Sequence, residues 1–292
     1  MKHCAILTMD CLDDFEAYDH LLDQPLLALG WKTQLVSWKQ EQINWNEFDV
    51  VLIRTPWDYQ EDAPRFLQVL NDIEASSAIL ENNIDIVRWN INKKYLQELQ
   101  QKQVTIVPTI WQETFNFNDV ASYFTKFCTD QIVIKPCVSA NADNTFWLTK
   151  TNVASHKEQL EIAFTNRDFM AQPFMQSVIE EGEFSCFYFD GKYSHCILKT
   201  PKENDFRVQE EFGSRLQLVE PEAKLIMQAE HAIAQLSTTP MYARVDFVRH
   251  GNEFAMMEAE LIEPSLYFNM DEKSVPLFAK LFVERMQREH QL

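Results

Sequence analysis

Within Tyr242–Leu261, which has the pattern of two β-strands around a turn, Arg244, Asp246, Glu258 and Glu260 stand among apolar residues. Side chains alternate between the two faces of a strand, so Arg244 and Asp246 share one face, and Glu258 and Glu260 share one. Acidic side chains grouped in this way repel one another unless a cation lies between them. The hairpin therefore restricts the chain to folds that supply such a cation or leave this face in water.

The length of the turn decides whether the four polar residues lie on the same face. A three-residue turn, His250–Asn252, would put Asp246 opposite Met256 and all four polar side chains on one side, whereas a two-residue turn would split them across the sheet. Gly251 can supply the positive φ that a three-residue turn with a bulge requires, so we expect that turn. The opposite face would then form a core from Val245, Phe247, Met257 and Leu261.

Two interpretations of the polar face remain open from these residues alone. Divalent ions such as Mg²⁺ bind carboxylate oxygens, so the face fits a metal site. A solvated strand face with a surface ion pair fits it as well.

Composition excludes several classes of function. The 292 residues include 26 Lys and Arg against 44 Asp and Glu, a net charge of −18, which disfavours binding to nucleic acid or to an anionic membrane surface. No apolar stretch approaches the roughly 20 residues of a membrane span. The six cysteines form no CxxC pair and mostly lie in apolar runs, which favours reduced thiols in a cytoplasmic protein.

Glycine is scarce, and this limits how the chain could bind phosphate. Five glycines are present, and neither a Walker A loop nor a GxGxxG motif can be written from them. The sequence also lacks HExxH, GxSxG and zinc-type Cys/His spacing. A phosphate group would have to be held mainly by side-chain cations.

The first 85 residues have the pattern of a small doubly wound β-α-β-β domain. Cys4–Met9, Thr33–Trp38 and the continuously apolar Asp49–Arg54 are predicted strands, and Phe15–Leu29 is a predicted helix. No internal repeat is evident.

Two lysines stand at positions where an anion would stabilise them. We predict a helix that starts near Asn90 and a strand that ends at Pro108, which puts Lys93 near a helix start, where the helix dipole disfavours cations. Lys135 ends the β-branched run Gln131–Pro136 and precedes a polar segment. Each lysine could equally be a solvated or snorkelling side chain.

In this order, these segments resemble the ATP-grasp superfamily, in particular its glutathione synthetase-like carboxylate–amine ligases, including the cyclo-ligase type of cycloserine biosynthesis. The segments are RWNINKKYL, IVIKP with SANADNT, MAQPFMQSVIEEGEFS, LKTPKENDFRV, and VDF with MEAELIEP. The likeness extends over most of the chain. It implies an α/β protein with α+β lobes, that is, an ATP-grasp fold with an N-terminal Rossmann-like domain. The boundaries we expect are 1–86 for that domain, 87–112 for a connecting helix and strand, 113–174 for the small lobe and 175–292 for the large lobe with the metal hairpin.

The resemblance implies a role for each of these segments. ATP would be bound by Lys93, Lys135, Ser139 in the loop over the triphosphate, Gln172, Pro173, Phe174 and Met175 at the adenine, and Glu183 at the ribose. Lys199, Arg207 and Arg244 would be the catalytic cations, and Asp246, Glu258 and Glu260 would bind Mg²⁺, with Mn²⁺ as an alternative. Two features depart from the family pattern: SANADNT contains no glycine, and Glu260 stands where the family commonly has Asn.

The implied reaction is an ATP-dependent ligation. A carboxylate substrate would attack the γ-phosphate of ATP to form an acylphosphate, and an amine would then displace phosphate. The expected partners are therefore a small-molecule acid and an amine, amino-acid-like or a small peptide, without nucleic acid or membrane. A homodimer is left open. A catalytically silent ATP-binding regulatory or scaffolding protein is the alternative, and an unrelated metal-binding or structural α/β protein is the third hypothesis.

Residues that follow the third predicted strand are candidates for the acceptor pocket, because ligands gather at the carboxyl ends of strands in open α/β sheets. Arg54 could pair with a substrate carboxylate, Asp58 could hold an ammonium group, and Trp57 or Tyr59 could cover it. Asp10, at the end of the first strand, is a further candidate. The alternative is a tight Pro56 turn with Trp57 packed in the core.

Overall fold

Three β-sheets follow one another along the chain in the computed structural model, which describes residues 1–13, 15–139, 142–203 and 205–291. The first sheet is parallel, with strand order β2-β1-β3-β4. Its elements are β1 (Lys2–Thr8), α1 (Asp23–Ala28), β2 (Trp31–Ser37), β3 (Val50–Thr55), α2 (Ala63–Glu74) and β4 (Ile79–Glu81). Every residue of β3 is buried, as expected for a strand covered on both faces.

The predicted helix Phe15–Leu29 is wrong in extent. A 3₁₀ turn covers Asp19–Leu22, and α1 begins only at Asp23. Pro25 accounts for this start, because proline fits the first turn of a helix but breaks its interior.

The next segment consists of two short helices, α3 (Ile84–Asn90) and α4 (Tyr95–Gln101). The Asn83 side chain caps α3 by accepting a hydrogen bond from the Ile86 amide. The predicted helix start near Asn90 is therefore wrong, since Asn90 ends a helix. The predicted strand before Pro108 is also absent, and a single bridge from Ile106 to Met256 stands in its place.

The second sheet is antiparallel, with order β5-β8-β6-β7, and encloses its own aromatic core. Its elements are β5 (Ile110–Gln112), α5 (Phe117–Lys126), β6 (Gln131–Pro136), β7 (Phe146–Thr149), α6 (Lys157–Phe164) and β8 (Phe169–Pro173).

The third sheet is antiparallel, with order β11-β10-β9-β12-β13. One of its cores packs against residues of α4 and α8, and another is shared with α9 and the first sheet. Its elements are α7 (Ser177–Glu180), β9 (Glu183–Phe189), β10 (Lys192–Thr200), β11 (Arg215–Leu218), α8 (Ala223–Ala234), β12 (Tyr242–His250), β13 (Glu253–Glu260) and α9 (Ser274–His290). The shared core joins the first and third sheets in one packed unit.

The turn of the β12–β13 hairpin has two residues, so the predicted three-residue turn is wrong. His250 pairs with Glu253, which leaves Gly251 and Asn252 in the turn. Further along, Phe247 pairs with Met256 while Asp246 pairs with Glu258, so Met257 is an extra residue in β13. This β-bulge shifts the alternation by one residue.

Because of the bulge, the four polar residues share a face despite the short turn. Arg244 lies opposite Glu260, and Asp246 lies opposite Glu258. Met257, which was predicted to face the core, lies instead beside the polar face.

Arg54 is locked inside the protein, so its predicted role in binding a substrate carboxylate is wrong. Its side chain is fully buried, and its Nε donates to Asp19 Oδ1 over 2.6 Å. Its Nη2 donates to the Pro264 carbonyl oxygen over 2.7 Å, and the guanidinium lies 4.7 Å from the centre of the Tyr242 ring. Arg54 therefore holds residues near Pro264 against the first sheet.

Within the described residues, no helix combines the length and the apolar character needed to cross a bilayer.

Replacing Arg54 by alanine is predicted to reduce the free energy of unfolding by about 3–5 kcal/mol, because it leaves Asp19 buried without its partner. Urea unfolding at 25 °C measures this. Arg88→Ala is the matched control, since its pair with Asp85 is exposed and should contribute at most about 1 kcal/mol. A loss at Arg54 no larger than at Arg88 would contradict the structural role.

Candidate active site

A cleft between the second and third sheets collects most of the residues predicted to bind a nucleotide. The second sheet contributes Lys135, Ser139 and the end of β8, and the third contributes the polar face of the hairpin. The wall next to the first sheet is formed by Trp57 and Tyr59 together with Glu263, Ser265 and Tyr267.

The polar face of the hairpin is held by ion pairs across and between strands. Arg244 Nη2 lies 3.0 Å from Asp246 Oδ2 and also contacts Glu260. Ser185 donates a hydrogen bond to Asp246 over 2.5 Å. Burial by itself would raise the pKa of Asp246, but the Arg244 and Lys199 cations lower that pKa below its ordinary value. Asp246 is therefore ionised at neutral pH.

Glu260 has a different balance of the same effects. Burial, together with Asp246 and Glu258, raises the pKa of Glu260 to about 7, despite its contact with Arg244. The Arg244 cation thus offsets only part of the negative charge that Glu260 adds to this face.

The Lys199 side chain reaches the polar face of the hairpin from β10. Its Nζ lies 2.7 Å from Glu183 Oε1 and 3.7 Å from Asp246 Oδ2. Burial would lower the pKa of Lys199, but these two carboxylates raise it above its ordinary value. Gly182 allows the backbone before β9 to pack closely against the backbone of Lys199. Its φ is +121°, and a Cβ there would lie 2.7 Å from the Lys199 carbonyl oxygen.

Lys93 lies between α3 and α4 and links the two sides of the cleft. Its Nζ is 2.8 Å from Glu258 Oε1 and donates to the Ser139 carbonyl oxygen over 2.9 Å. Burial would lower the pKa of Lys93, but Glu258 raises it. Lys93 thus binds the hairpin and the start of the predicted phosphate loop at once.

Lys135, at the end of β6, lines the cleft without an ion pair to any described residue. Its side chain is buried, and this burial lowers the pKa of its ammonium group. A buried lysine of this kind is stabilised when an anion enters the cleft.

The end of β8 provides a flat slot. Gln172, Pro173, Phe174 and Met175 line the cleft there beside the apolar side chains of Val133, Val178 and Met257. Gln172 Nε2 donates to Thr109 over 2.9 Å, and the Phe174 ring stacks on Trp147 at 4.4 Å. The slot has the shape and the apolar walls that a planar base requires.

The predicted phosphate loop lies at the mouth of this slot. Ser139, Ala142 and Thr145 line the cleft, while residues 140 and 141 lie outside the described part of the chain. Ala142 and Asn144 have φ values of 56° and 51°, in the left-handed region that glycine favours. Two non-glycine residues of the predicted phosphate loop thus adopt a backbone conformation that glycine adopts most readily.

Arg207 lines the cleft but, within the residues that the structure describes, shares no carboxylate partner with the other cations. Its Nη2 lies 2.8 Å from Asp205, and its guanidinium lies 3.7 Å from the centre of the Phe212 ring. These contacts hold Arg207 on the loop after β10, away from the Arg244 and Lys199 network.

The predicted metal ligands fit a hard divalent ion by their chemistry. Asp246, Glu258 and Glu260 present carboxylate oxygens to one face, and each of the three is paired with a cation that a metal ion could replace. When one carboxylate oxygen is taken from each of these three residues, the three atoms do not all lie within 4.8 Å of one another. Among the described residues, the one set of three potential ligands with that spacing is Glu81, Glu289 and His290, where Arg285 pairs with both glutamates.

Two predicted substrate residues lie outside the cleft. Asp58 accepts a hydrogen bond from Trp38 Nε1 and pairs with Lys39, both over 2.6 Å. Asp10 accepts a hydrogen bond from Ser37 over 2.5 Å on the surface. Neither residue lines the cleft, because Asp10 is held by the end of β2 and Asp58 by the two residues that follow β2, so the structure contradicts their predicted roles. Trp57 and Tyr59 do line the cleft.

Sequence reasoning missed Glu263. This carboxyl is buried in the wall of the cleft, where burial and then Glu260 raise its pKa to about 8. An acidic residue within the apolar run before Pro264 was the available signal.

Comparison with known proteins gives relatives along almost the whole chain. The family model described as the N-terminal domain of D-cycloserine synthetase DcsG matches residues 4–82. The cycloserine biosynthesis protein DcsG of Streptomyces lavendulae is 26% identical over 279 residues, which cover 89% of this chain and 91% of that protein.

Solved structures agree on the fold. The crystal structure of D-cycloserine synthetase DcsG has a TM-score of 0.87 at 23% identity, covering 97% of this chain and 99% of that one. A RimK-domain ATP-grasp protein from Sphaerobacter thermophilus has a TM-score of 0.70 at 13% identity, with coverages of 97% and 98%. This chain has the ATP-grasp fold. The ATP-grasp fold predicted from the sequence is thereby confirmed.

A third relative is a ligase solved with nucleotide. The ATP-grasp ligase PsnB, in a complex with a precursor variant, Mg and ADP, has a TM-score of 0.66 at 15% identity, with coverages of 96% and 98%. The structural neighbours of this chain thus include an ATP-grasp ligase in a complex with Mg and ADP.

Replacement of either Lys135 or Glu258 by alanine is predicted to abolish the thermal stabilisation expected from Mg-ATP in the wild-type protein, because one change removes the predicted phosphate-binding cation and the other a predicted metal ligand. Thermal melts with and without Mg-ATP measure this. Lys94→Ala is the matched control, since Lys94 pairs outside the cleft with Asp168 over 2.7 Å and should keep the full shift. Unchanged shifts in both cleft variants would refute the assignment.

Proposed function

We propose that this ATP-grasp protein joins the carboxylate of a small, amino-acid-like acid to an amine through an acylphosphate, with a small peptide as the alternative acid. The observation that carries the proposal is the set of ion pairs on the hairpin face. Lys93 and Lys199 hold Glu258 and Asp246 in a cleft that also contains Lys135 and a flat apolar slot. Relatives that include a D-cycloserine synthetase and a D-alanine–D-alanine ligase support the substrate class.

ATP would occupy the cleft with its base in the slot at Gln172–Met175 and its ribose near Glu183. Asp246, Glu258 and Glu260 would hold Mg²⁺, with Mn²⁺ as an alternative ion, and the metal would supply charge neutralisation at the phosphates. If Glu258 held the metal, Lys93 would lose its ion pair and its ammonium group would become available to the triphosphate, together with Lys135. Lys199 would keep its 2.7 Å contact with Glu183 and would be released only from Asp246.

The first chemical step brings two anions together. The substrate carboxylate attacks the γ-phosphorus, the bond to the bridging oxygen breaks, and ADP leaves. Lys199 on β10 and Arg244 on β12 both approach Asp246, so they would stabilise the charge on the transferring group. Arg207 would join them only after leaving Asp205. In the second step the amine attacks the acyl carbon and inorganic phosphate leaves.

The chain's organisation and location form part of the same proposal. We keep the domains 1–86, 87–112, 113–174 and 175–292 as part of the proposal. The boundary at 174 follows β8, whereas 86 lies within α3 and 112 ends β5, a strand of the second sheet. Four of the six free cysteines are buried, which agrees with a reducing, cytoplasmic compartment. Self-association as a homodimer stays an open part of the proposal.

The test is ADP release and hydroxamate formation with the proteinogenic amino acids in both configurations, using hydroxylamine as the nucleophile that traps an acylphosphate. At least one acid should give both products, and EDTA should abolish both. Lys199→Ala should lower kcat by about 10²–10³-fold, by analogy with loss of one oxyanion donor. If no acid stimulates ADP release, the ligase proposal fails, and a silent ATP-binding protein becomes the better account.

A further inference from the structure

Glu263 stands apart from the other carboxylates that line the cleft and are shielded from solvent. Glu183, Asp246, Glu258 and Glu260 each have an ion-pair partner among the described residues. Glu263 is nine-tenths buried and pairs with no described cation, and its carboxyl accepts a hydrogen bond from the Tyr59 hydroxyl. A buried carboxylate without a cationic partner is costly to keep ionised.

The backbone around Glu263 is fixed from both sides. Trp57 Nε1 donates to the Glu263 carbonyl oxygen over 2.8 Å, and Arg54 donates to the next carbonyl, at Pro264. The preceding carbonyl, at Ile262, accepts from the Tyr242 hydroxyl over 3.1 Å. Three consecutive carbonyl oxygens are thus held by buried side chains, which sets the direction of the Glu263 side chain before any substrate binds.

The surroundings of Glu263 favour a cation. Along the wall formed by Trp57, Tyr59 and residues 263–267, three aromatic rings line the cleft, and Lys93, the cation whose charge lowers the pKa of Glu263, is already paired with Glu258. Aromatic faces attract ammonium groups, whereas a second substrate carboxylate would be repelled by Glu263. The cations of the cleft lie on the side of the hairpin and the second sheet.

From this arrangement we infer that Glu263 is a specificity-determining residue that binds the ammonium group of the acid substrate, so the protein selects acids that carry a free amine and a single reacting carboxylate. This inference rests on the proposed ligase function. It explains why Arg54 does not act on substrate: its role is to hold the Pro264 segment that directs Glu263.

The experiment compares each amino acid with its α-hydroxy acid, which has nearly the same shape and no positive charge. In the hydroxylamine assay, kcat/KM for the preferred amino acid should exceed that for its hydroxy acid by about 10²-fold, because breaking a buried charge pair has an effect of that size. Glu263→Gln should remove most of this preference, lowering activity on the amino acid and leaving the hydroxy acid nearly unchanged.

Two further variants separate substrate recognition from a structural role. Glu211→Gln makes the same change at an exposed position on the rim of the cleft, and should keep the preference. Glu263→Asp keeps the charge and should restore part of the preference that Glu263→Gln removes. Equal losses on both acids in Glu263→Gln would overturn the inference while leaving the ligase function intact, as would a wild-type protein that uses hydroxy acids equally well.

A second measurement does not need turnover. In the presence of Mg²⁺ and a non-hydrolysable ATP analogue, the preferred amino acids should raise the melting temperature of the wild-type protein and not that of Glu263→Gln. If no acid gives turnover, this selective shift still supports ammonium binding at Glu263 although the ligase proposal fails. No shift with any amino acid, or the same shift in both proteins, would overturn the inference.

Discussion

The structure depends on neutralising several carboxylates in a cleft that excludes much of the water. An isolated buried carboxylate is unstable, so each must meet a cation, a hydrogen-bond donor or a proton. Arg244 comes from the same strand as Asp246, Lys199 from β10, and Lys93 from the turn between α3 and α4. Because these cations come from separate elements, the same interactions that compensate charge also fix the hairpin, the third sheet and the connecting helices relative to one another.

These ion pairs also account for how the cleft could act on a nucleotide. Lysines paired with carboxylates are stable before ligand binds and remain close to where phosphates would lie. Lys135 differs, since burial without a described ionic partner lowers the pKa of its ammonium group and leaves it to gain most from an anion. When a nucleotide binds, a lysine paired with a carboxylate would exchange that partner for a phosphate, whereas Lys135 would gain an ionic partner.

Sequence reasoning predicted the fold and the residues of the cleft better than their local geometry. The apolar run of β3 and the alternation in β12 were sufficient to place strands, because burial on one or both faces dictates those patterns. The turn of the hairpin was mispredicted, yet the bulge at Met257 restored the expected face. A bulge depends on packing across two strands, and no local pattern in the chain indicates it.

The residues of the acceptor pocket were predicted least well, because their positions also depend on contacts between distant parts of the chain. Arg54 looked like a ligand residue, but its partners Asp19 and Pro264 are 35 and 210 residues away in the sequence. Glu263 was not among the predicted site residues, and only the fold shows that it lines the cleft. Long-range contacts of this kind decide which polar residue is structural and which is available to substrate.

The central claim is that the hairpin carboxylates form a metal-dependent nucleotide site. Calorimetric titration of the wild-type protein with ATP, with and without Mg²⁺, tests it most directly. The account predicts that Mg²⁺ strengthens ATP binding by at least about tenfold, because without metal the carboxylates keep their lysines and repel the phosphates. Equal affinity for ATP in the presence and absence of Mg²⁺ would contradict it.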